Sequence, residues 1–195
     1  MTDTLTLDRK HTALLVMDYQ NGIVSRIVEN YPDLLDRTAA VLAAARAADL
    51  PIIYIVVSFR EGYPEVSPRN RSFSALRGSG RMLAGSPETE IHPHVGPRPG
   101  EIVLTKHRVG AFSTTPLETI LRAHDVTSLI LCGIATSGVV LSTVRWAADM
   151  DYDLLVVEDC CADGDAEVHR ILTQKVFPRQ ARVVFANAII EDLKV

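Results

Sequence analysis

Two rhythms of apolar and polar positions alternate along this chain. Short, nearly continuous apolar runs stand at Thr12–Asp18, Pro51–Phe59, Glu101–Lys106, Val126–Gly133, Asp153–Glu158 and Ala181–Ala186. They predict buried strands. Between them lie stretches with apolar residues three and four apart. In Asp33–Leu50 these are Leu34, Leu35, Thr38, Val41, Leu42 and Ala45, with Pro32 suited to the first helical turn. Pro116–His124 predicts a short helix. Ser137–Met150 places Val139, Val140, Thr143, Trp146, Ala147 and Met150 on or near one face. Asp165–Val176 is also helical, with Val168, Ile171 and Leu172 inward.

Strands this apolar are buried on both faces, which is the state of a parallel sheet covered by helices. Right-handed crossovers then give a three-layer, doubly wound α/β fold around a six-stranded parallel sheet. In such sheets sites form beyond the carboxyl ends of the strands. Asp18, Lys106 and Gly133 all stand at predicted strand ends.

A chain of 195 residues, 47% hydrophobic and 23% charged, is expected to form one domain over residues 1–195 with a sizeable core. A net charge of −4 speaks against nucleic acid or an acidic membrane surface as partner. The stretch from Met1 to Thr12 is polar and lacks the apolar centre of a secretory signal. No apolar run approaches the roughly 20 residues that span a bilayer. Three cysteines, two of them adjacent, make a poor disulfide framework. A cytoplasmic setting is the simplest expectation.

One stretch breaks the rhythm. From Arg60 to Gly100 there are six of the ten prolines and six of the eleven glycines, with no sustained period. An insert of this length, at about 60–100, is expected to be functional or partly disordered. Arg60, Arg69, Arg71, Arg77 and Arg81 punctuate it. They suit either a lid that meets a carboxylate substrate or a solvated loop with subunit contacts.

Three local motifs carry candidate chemistry. Around Asp18 the chain reads Ala-Leu-Leu-Val-Met-Asp-Tyr-Gln-Asn. Around Lys106 it reads Leu-Thr-Lys-His-Arg-Val-Gly-Ala-Phe-Ser-Thr-Thr-Pro-Leu. The third, Leu-Cys-Gly-Ile-Ala-Thr-Ser-Gly-Val-Val-Leu-Ser-Thr, is followed by an Asp/Glu-rich turn at Glu158–Asp165. Together, and in this order, they resemble the isochorismatase-like (cysteine hydrolase) superfamily, which includes nicotinamidases, N-carbamoylsarcosine amidases and isochorismatases. The resemblance runs from about Thr12 to about Val176. It implies the Rossmann-like, isochorismatase-like hydrolase fold, a small-molecule substrate and a homodimer or homotetramer. The insert and the Ile189–Val195 segment are the candidate subunit contacts.

The resemblance also implies roles. Asp18 matches the family's catalytic acid/base and Lys106 its motif lysine. Ile134 and Ala135 match a pair often joined by a cis peptide that turns N–H groups into an oxyanion hole, with Gly138 in the same turn. Phe112 matches an aromatic that commonly lines the pocket; Gln20, Arg108 and Ser137 are further expected substrate contacts. Val139 matches the slot of the cysteine nucleophile, and valine cannot attack a carbonyl carbon. Isochorismatases also lack this cysteine. There an aspartic acid is thought to protonate an alkene carbon of a vinyl ether, and water captures the cation. The Ile-Ala-Thr triplet, by contrast, is nearer the amidase branch. Asp18 could serve as an acid if neutral: burial would raise its pKa and Lys106 would lower it.

Other side chains have plainer readings. Ser137 is the best substitute hydroxyl, but also suits the N-cap of the following helix, and Thr136 is open to the same reading. Cys132 reads as a buried small hydrophobe. Of Cys160 and Cys161, one is expected in the core and the other lining a loop. Nicotinamidases carry an Asp-x-His pair after strand two, where this chain has Ser58-Phe59-Arg60-Glu61. His92-Pro93-His94 lacks a third ligand at a convincing spacing. His107 points either into the sheet or toward the site, and His169 reads as a partly buried helix histidine. No catalytic metal and no cofactor are expected. No Gly-x-Gly-x-x-Gly follows the first strand, which makes nucleotide binding a poor reading. The expected function is hydrolysis of a small carboxylate, vinyl ether or amide by Asp18 and Lys106 without covalent catalysis. The alternative is a catalytically silent member that binds a metabolite or partner.

Overall fold

Each of the six apolar runs forms a strand. The computed structural model describes residues 6–194, so Met1–Leu5 and Val195 of the two terminal readings lie outside the described residues. The strands are β1 (Thr12–Met17), β2 (Ile52–Val57), β3 (Ile102–Lys106), β4 (Ser128–Ile134), β5 (Asp153–Ala162) and β6 (Arg182–Val184). All pairs are parallel, in the order β3-β2-β1-β4-β5-β6. The helices are α1 (Asn21–Val24), α2 (Leu34–Ala47), α3 (Leu117–Ala123), α4 (Leu141–Asp149), α5 (Ala166–Ile171) and α6 (Ala186–Leu193). This is the doubly wound α/β arrangement expected from the pattern.

Alternation along the strands divides the core in two. Leu14, Val16, Ile52, Tyr54, Ile130 and Leu155 pack under α2 and α6. Ala13, Leu15, Met17, Ile55, Leu129 and Leu131 pack on the other face under α3 and α4. In α6, Ala186, Ile189 and Leu193 recur on one face and are buried, so Ile189 and Leu193 serve this core and are not free for subunit contact.

Several elements depart from the pattern. β5 does not stop at Glu158. Its register with β4 slips between Leu131 and Gly133, and the strand continues to Ala162. Both Cys160 and Cys161 are therefore buried in a strand, and neither lines a loop. The helix read from Ser137 begins as a wide π-type turn, Thr136–Val140, before α4. Trp146 is 49% exposed because its ring stacks on Phe112, which covers only one face. Ile171, at the end of α5, is also exposed, and a second wide turn, Leu172–Val176, follows it.

The stretch between β2 and β3 folds into turns, three of them short 3-10 helices. Phe59, Tyr63, Val66 and Met82 pack with Val57 into a small core of their own. Its later part lies along the exit of β1: His92 donates its N–H to the Tyr19 carbonyl (2.8 Å) and Asn21 to the Glu90 carbonyl (2.9 Å). Among the described residues no helix is long and apolar enough to cross a membrane.

Candidate active site

The strand order reverses between β1 and β4. At such a switch point the two neighbouring chains leave toward opposite faces and open a crevice at their carboxyl ends. Asp18 follows β1 directly, and the turn Gly133–Val140 follows β4. Met17 is the partner of Gly133, so the two exits lie side by side. Gly133 is needed there: a Cβ would stand 3.0 Å from Val140 Cγ2 and 3.2 Å from Met17 Cβ.

Asp18 has a left-handed backbone, φ 61°, a conformation that aspartate tolerates better than most residues. Its N–H still bonds the Ile55 carbonyl at 2.8 Å. Lys106 closes β3, level with Val57 of β2. Its Nζ lies 2.9 Å from Asp18 Oδ2 and also donates to the Arg108 carbonyl at 3.1 Å. Asp18 is 5% exposed and Lys106 1%. The second carboxylate oxygen, Asp18 Oδ1, is buried without a hydrogen-bond partner among the described residues.

The opposing influences on Asp18 are thereby decided. Burial raises its pKa above the usual carboxylate value; the charge and hydrogen bond of Lys106 pull it down, and burial prevails.

On the β4 side, the Ile134–Ala135 peptide is cis, as the resemblance implied. Gly138 and Val140 donate their N–H groups to the Ala135 carbonyl at 3.1 and 3.3 Å. The Ser137 N–H donates to Asp163 Oδ2 at 2.7 Å. Ser137 is not an N-cap: its side chain is exposed and makes no capping bond, and the Val140 N–H three residues on goes to the Ala135 carbonyl instead. Thr136, fully buried, shares a hydrogen bond of 2.8 Å with His169 Nδ1. Val139 is buried in the same core cluster as Met17 and Val140.

Three of the expected substrate contacts have partners within the chain. The Gln20 amide donates to the carbonyls of Val57 (2.9 Å) and Thr89 (2.8 Å) and accepts from the Val57 N–H (2.8 Å). Both its donors are committed to backbone, so it staples β1 to β2 and to the insert. Phe112 is held between Trp146 and Tyr152, with ring centroids 6.3 and 6.2 Å away. Arg108 Nη1 bonds the carbonyls of Glu65 and His107. In the insert, Arg60 and Arg81 pair with Glu65 and Glu88, while Arg69, Arg71 and Arg77 are exposed.

His107 turns away, with Nδ1 2.8 Å from the Ser58 carbonyl. His94 pairs with Asp36. Among the described residues no group of three or more His, Cys, Asp or Glu is placed to hold a metal ion.

Asp163 was expected only as part of the acidic turn, and His169 is the partly buried helix histidine the sequence predicts. The available signal was the acidic turn closing strand five, at the same end of the sheet as Asp18. Two clefts of about 250 and 370 Å³ open there, both lined by Tyr31 and His169. Those two rings meet edge-on at 6.0 Å. Asp18 and Lys106 line neither cleft.

Residues 12–188 match the model of the isochorismatase domain family. The chain is 31% identical to YwoC, an uncharacterized isochorismatase family protein of Bacillus subtilis, over the whole of both chains. It is also 31% identical to the isochorismatase family protein YecD of Escherichia coli O157:H7, over 97% of this chain and all of that one. An isochorismatase family protein from Burkholderia thailandensis superposes with a TM-score of 0.79 at 30% identity, covering 97% of this chain and 98% of its own. A cysteine hydrolase from Pseudomonas syringae shares the fold, with a TM-score of 0.89 at 22% identity over 99% and 98% of the two chains.

Proposed function

This chain belongs to the isochorismatase family, and from that premise we propose that it is a hydrolase of a small vinyl ether in which Asp18 is the acid and no covalent intermediate forms. The observation that carries the reading is Asp18 Oδ1. It is a buried carboxyl oxygen with no partner, on a group whose pKa burial has raised, beside a lysine that holds the other oxygen. A group in that state can carry a proton on Oδ1 and give it up to a substrate placed there. The pair is nearly sealed from solvent, so substrate reaches Oδ1 only when the cover over it moves.

In the proposed reaction the Asp18 proton passes from Oδ1 to the terminal alkene carbon. The electron pair of the double bond forms the new C–H bond, and the ether oxygen stabilises the cation. Water adds to that cation and returns a proton to Asp18. The hemiketal then collapses to a ketone and an alcohol. Lys106 stabilises the carboxylate while it lacks its proton. Val139, assigned to the place of the family's cysteine, contributes only shape.

Amide hydrolysis by Asp18-activated water is the second reading. It needs N–H donors for a tetrahedral oxyanion. In the turn those of Ser137, Gly138 and Val140 are already bonded, which favours the vinyl ether. Of the expected oxyanion residues, only the Ala135 N–H is assigned such a contact in this second reading.

The test is a panel of vinyl ethers such as isochorismate, N-carbamoyl compounds and primary amides, followed in D₂O. Carbon protonation places one deuterium on the former alkene carbon, and Asp18→Asn abolishes turnover. Undiminished turnover in Asp18→Asn removes the acid role. Binding without turnover, unaffected by Asp18→Ala, supports instead a silent member that holds a metabolite.

A further inference from the structure

The turn Thr136–Val140 has no side-chain cap of its own. It is an irregular wide turn at the start of α4, and two hydrogen bonds hold it from another part of the chain. Asp163 Oδ2 accepts the Ser137 N–H at 2.7 Å, a charge-assisted bond to the opening turn of a helix. His169 Nδ1 meets the fully buried Thr136 hydroxyl at 2.8 Å.

Both holders are themselves held. Asp163 is buried, and its Oδ1 accepts the Asp165 N–H at 3.3 Å. Asp165 caps α5 by accepting the N–H groups of Glu167 and Val168. His169 stands one turn along that helix, edge-on to Tyr31. The Tyr31 hydroxyl in turn accepts the Asp163 N–H at 3.4 Å. One short segment thus grips two consecutive residues of the turn, immediately after the cis bond and following the strand whose Gly133 is level with Met17, the residue before Asp18.

We propose that Asp163 and His169 are positioning residues, which fix the Thr136–Val140 turn against the Asp18–Lys106 pair so that substrate is seated over Asp18 Oδ1. This rests on the reading of Asp18 as the acid. Neither residue touches the pair, so their effect is on geometry, where a misplacement of about 1 Å can cost about 100-fold in rate.

The experiment pairs disruptive and conservative variants: Asp163→Ala with Asp163→Asn, and His169→Leu with His169→Asn. Each Asn keeps an acceptor near Oδ2 or Nδ1. The first readout needs no substrate. In amide NMR spectra the Ser137 N–H, on a carboxylate at 2.7 Å, is expected far downfield. Asp163→Ala moves it upfield, and both disruptive variants shift the Ile134, Val139 and Val140 methyl signals; each Asn variant restores most of that shift. The second readout uses the vinyl ether turned over by the wild type. The disruptive variants lose about 10- to 100-fold in kcat with KM within about threefold, and the Asn variants recover most of it.

Turn signals unmoved by Asp163→Ala and His169→Leu overturn the proposal. Equal losses in the disruptive and Asn variants, tracking melting temperature, also overturn it. If the wild type turns over no vinyl ether, the reading of Asp18 fails, while the NMR arm still decides whether these residues set the turn.

Discussion

Lys106→Met tests the buried pair directly. The thioether has the reach of the lysine stem, so the change removes the charge while keeping most of the packing. Asp18 then has no partner for either oxygen: Oδ1 has none already, and Oδ2 loses the ammonium at 2.9 Å. A carboxylate left alone in such a place costs several kcal/mol. The protein can avoid this by keeping Asp18 protonated, and that limits the penalty. Holding an acid of ordinary value 3.8 neutral costs about 1.36 kcal/mol per pH unit above it, so at most about 4.4 kcal/mol at pH 7 and about 1.6 kcal/mol at pH 5.

The sign follows from proton uptake. An acid whose folded pKa lies above its unfolded one binds more protons in the native state. It therefore destabilises the fold increasingly as pH rises past 3.8. The deficit of Lys106→Met relative to wild type should grow from pH 5 to pH 7, reaching roughly 10 °C in Tm at the upper end. Urea unfolding at pH 5, 6 and 7 measures it. Asp18→Asn and the double variant complete the cycle. The double variant, with no buried charge left, should recover about 2 kcal/mol or more over the sum of the singles. A deficit flat between pH 5 and pH 7 would show that Lys106 does not change the protonation of Asp18, and strict additivity would show that the two groups are not coupled; either result refutes this reasoning.

Three further outcomes follow from other contacts. Gln20→Leu strands the Val57 N–H and the carbonyls of Val57 and Thr89, and should cost about 2–5 kcal/mol in urea unfolding while leaving the m-value unchanged. Gly22→Ala would set a Cβ 2.1 Å from Glu88 Cγ and 3.1 Å from the Glu88 carbonyl oxygen, forcing that side chain off Arg81 and the Met82 N–H; about 1–3 kcal/mol should be lost, read as a lower melting temperature. Arg46 grips Glu101 with two bonds of 2.7 and 2.8 Å and, chiefly through them, holds that carboxyl below 4.5. The stabilisation is full above pH 4.5 and fades as pH falls through the depressed value, so Arg46→Lys should lose about 1–3 kcal/mol at pH 7 and less at pH 3, measured by urea unfolding at both.

What could be read from the chain, and what could not, divides along the range of the interactions. Strand ends are local. An apolar run that stops at Asp18 or Lys106 marks both the end of a buried strand and the charge that follows, and the parallel sheet then gathers those ends on one side. The course of β5 was not legible in this way. Glu158 and Asp159 interrupt the apolar pattern, yet the strand continues, because a slip against β4 leaves these two half-buried and returns Cys160, Cys161 and Ala162 to the core. The grip of Asp163 and His169 on the turn depends on partners 26 and 33 residues away, which no spacing rule reaches.

Gln20 and Asp18 show how the same signal in the sequence leads to two different surroundings. Both are polar residues at the exit of β1, both are buried, and both were expected at the site. Gln20 meets backbone partners from residues 57 and 89 that commit both its donors and its carbonyl. Neither of its donors is left to act on another molecule. Asp18 meets one partner and keeps one oxygen without any. A buried polar atom without a partner costs on the order of 1–3 kcal/mol, more for a charged group, and folded chains carry few of them. In the isochorismatase family fold this one stands at the switch point of the sheet, where substrates bind in folds of this class. The unfilled valence of Oδ1, more than the identity of Asp18 or its neighbourhood to Lys106, is therefore the feature on which the proposed role of Asp18 rests.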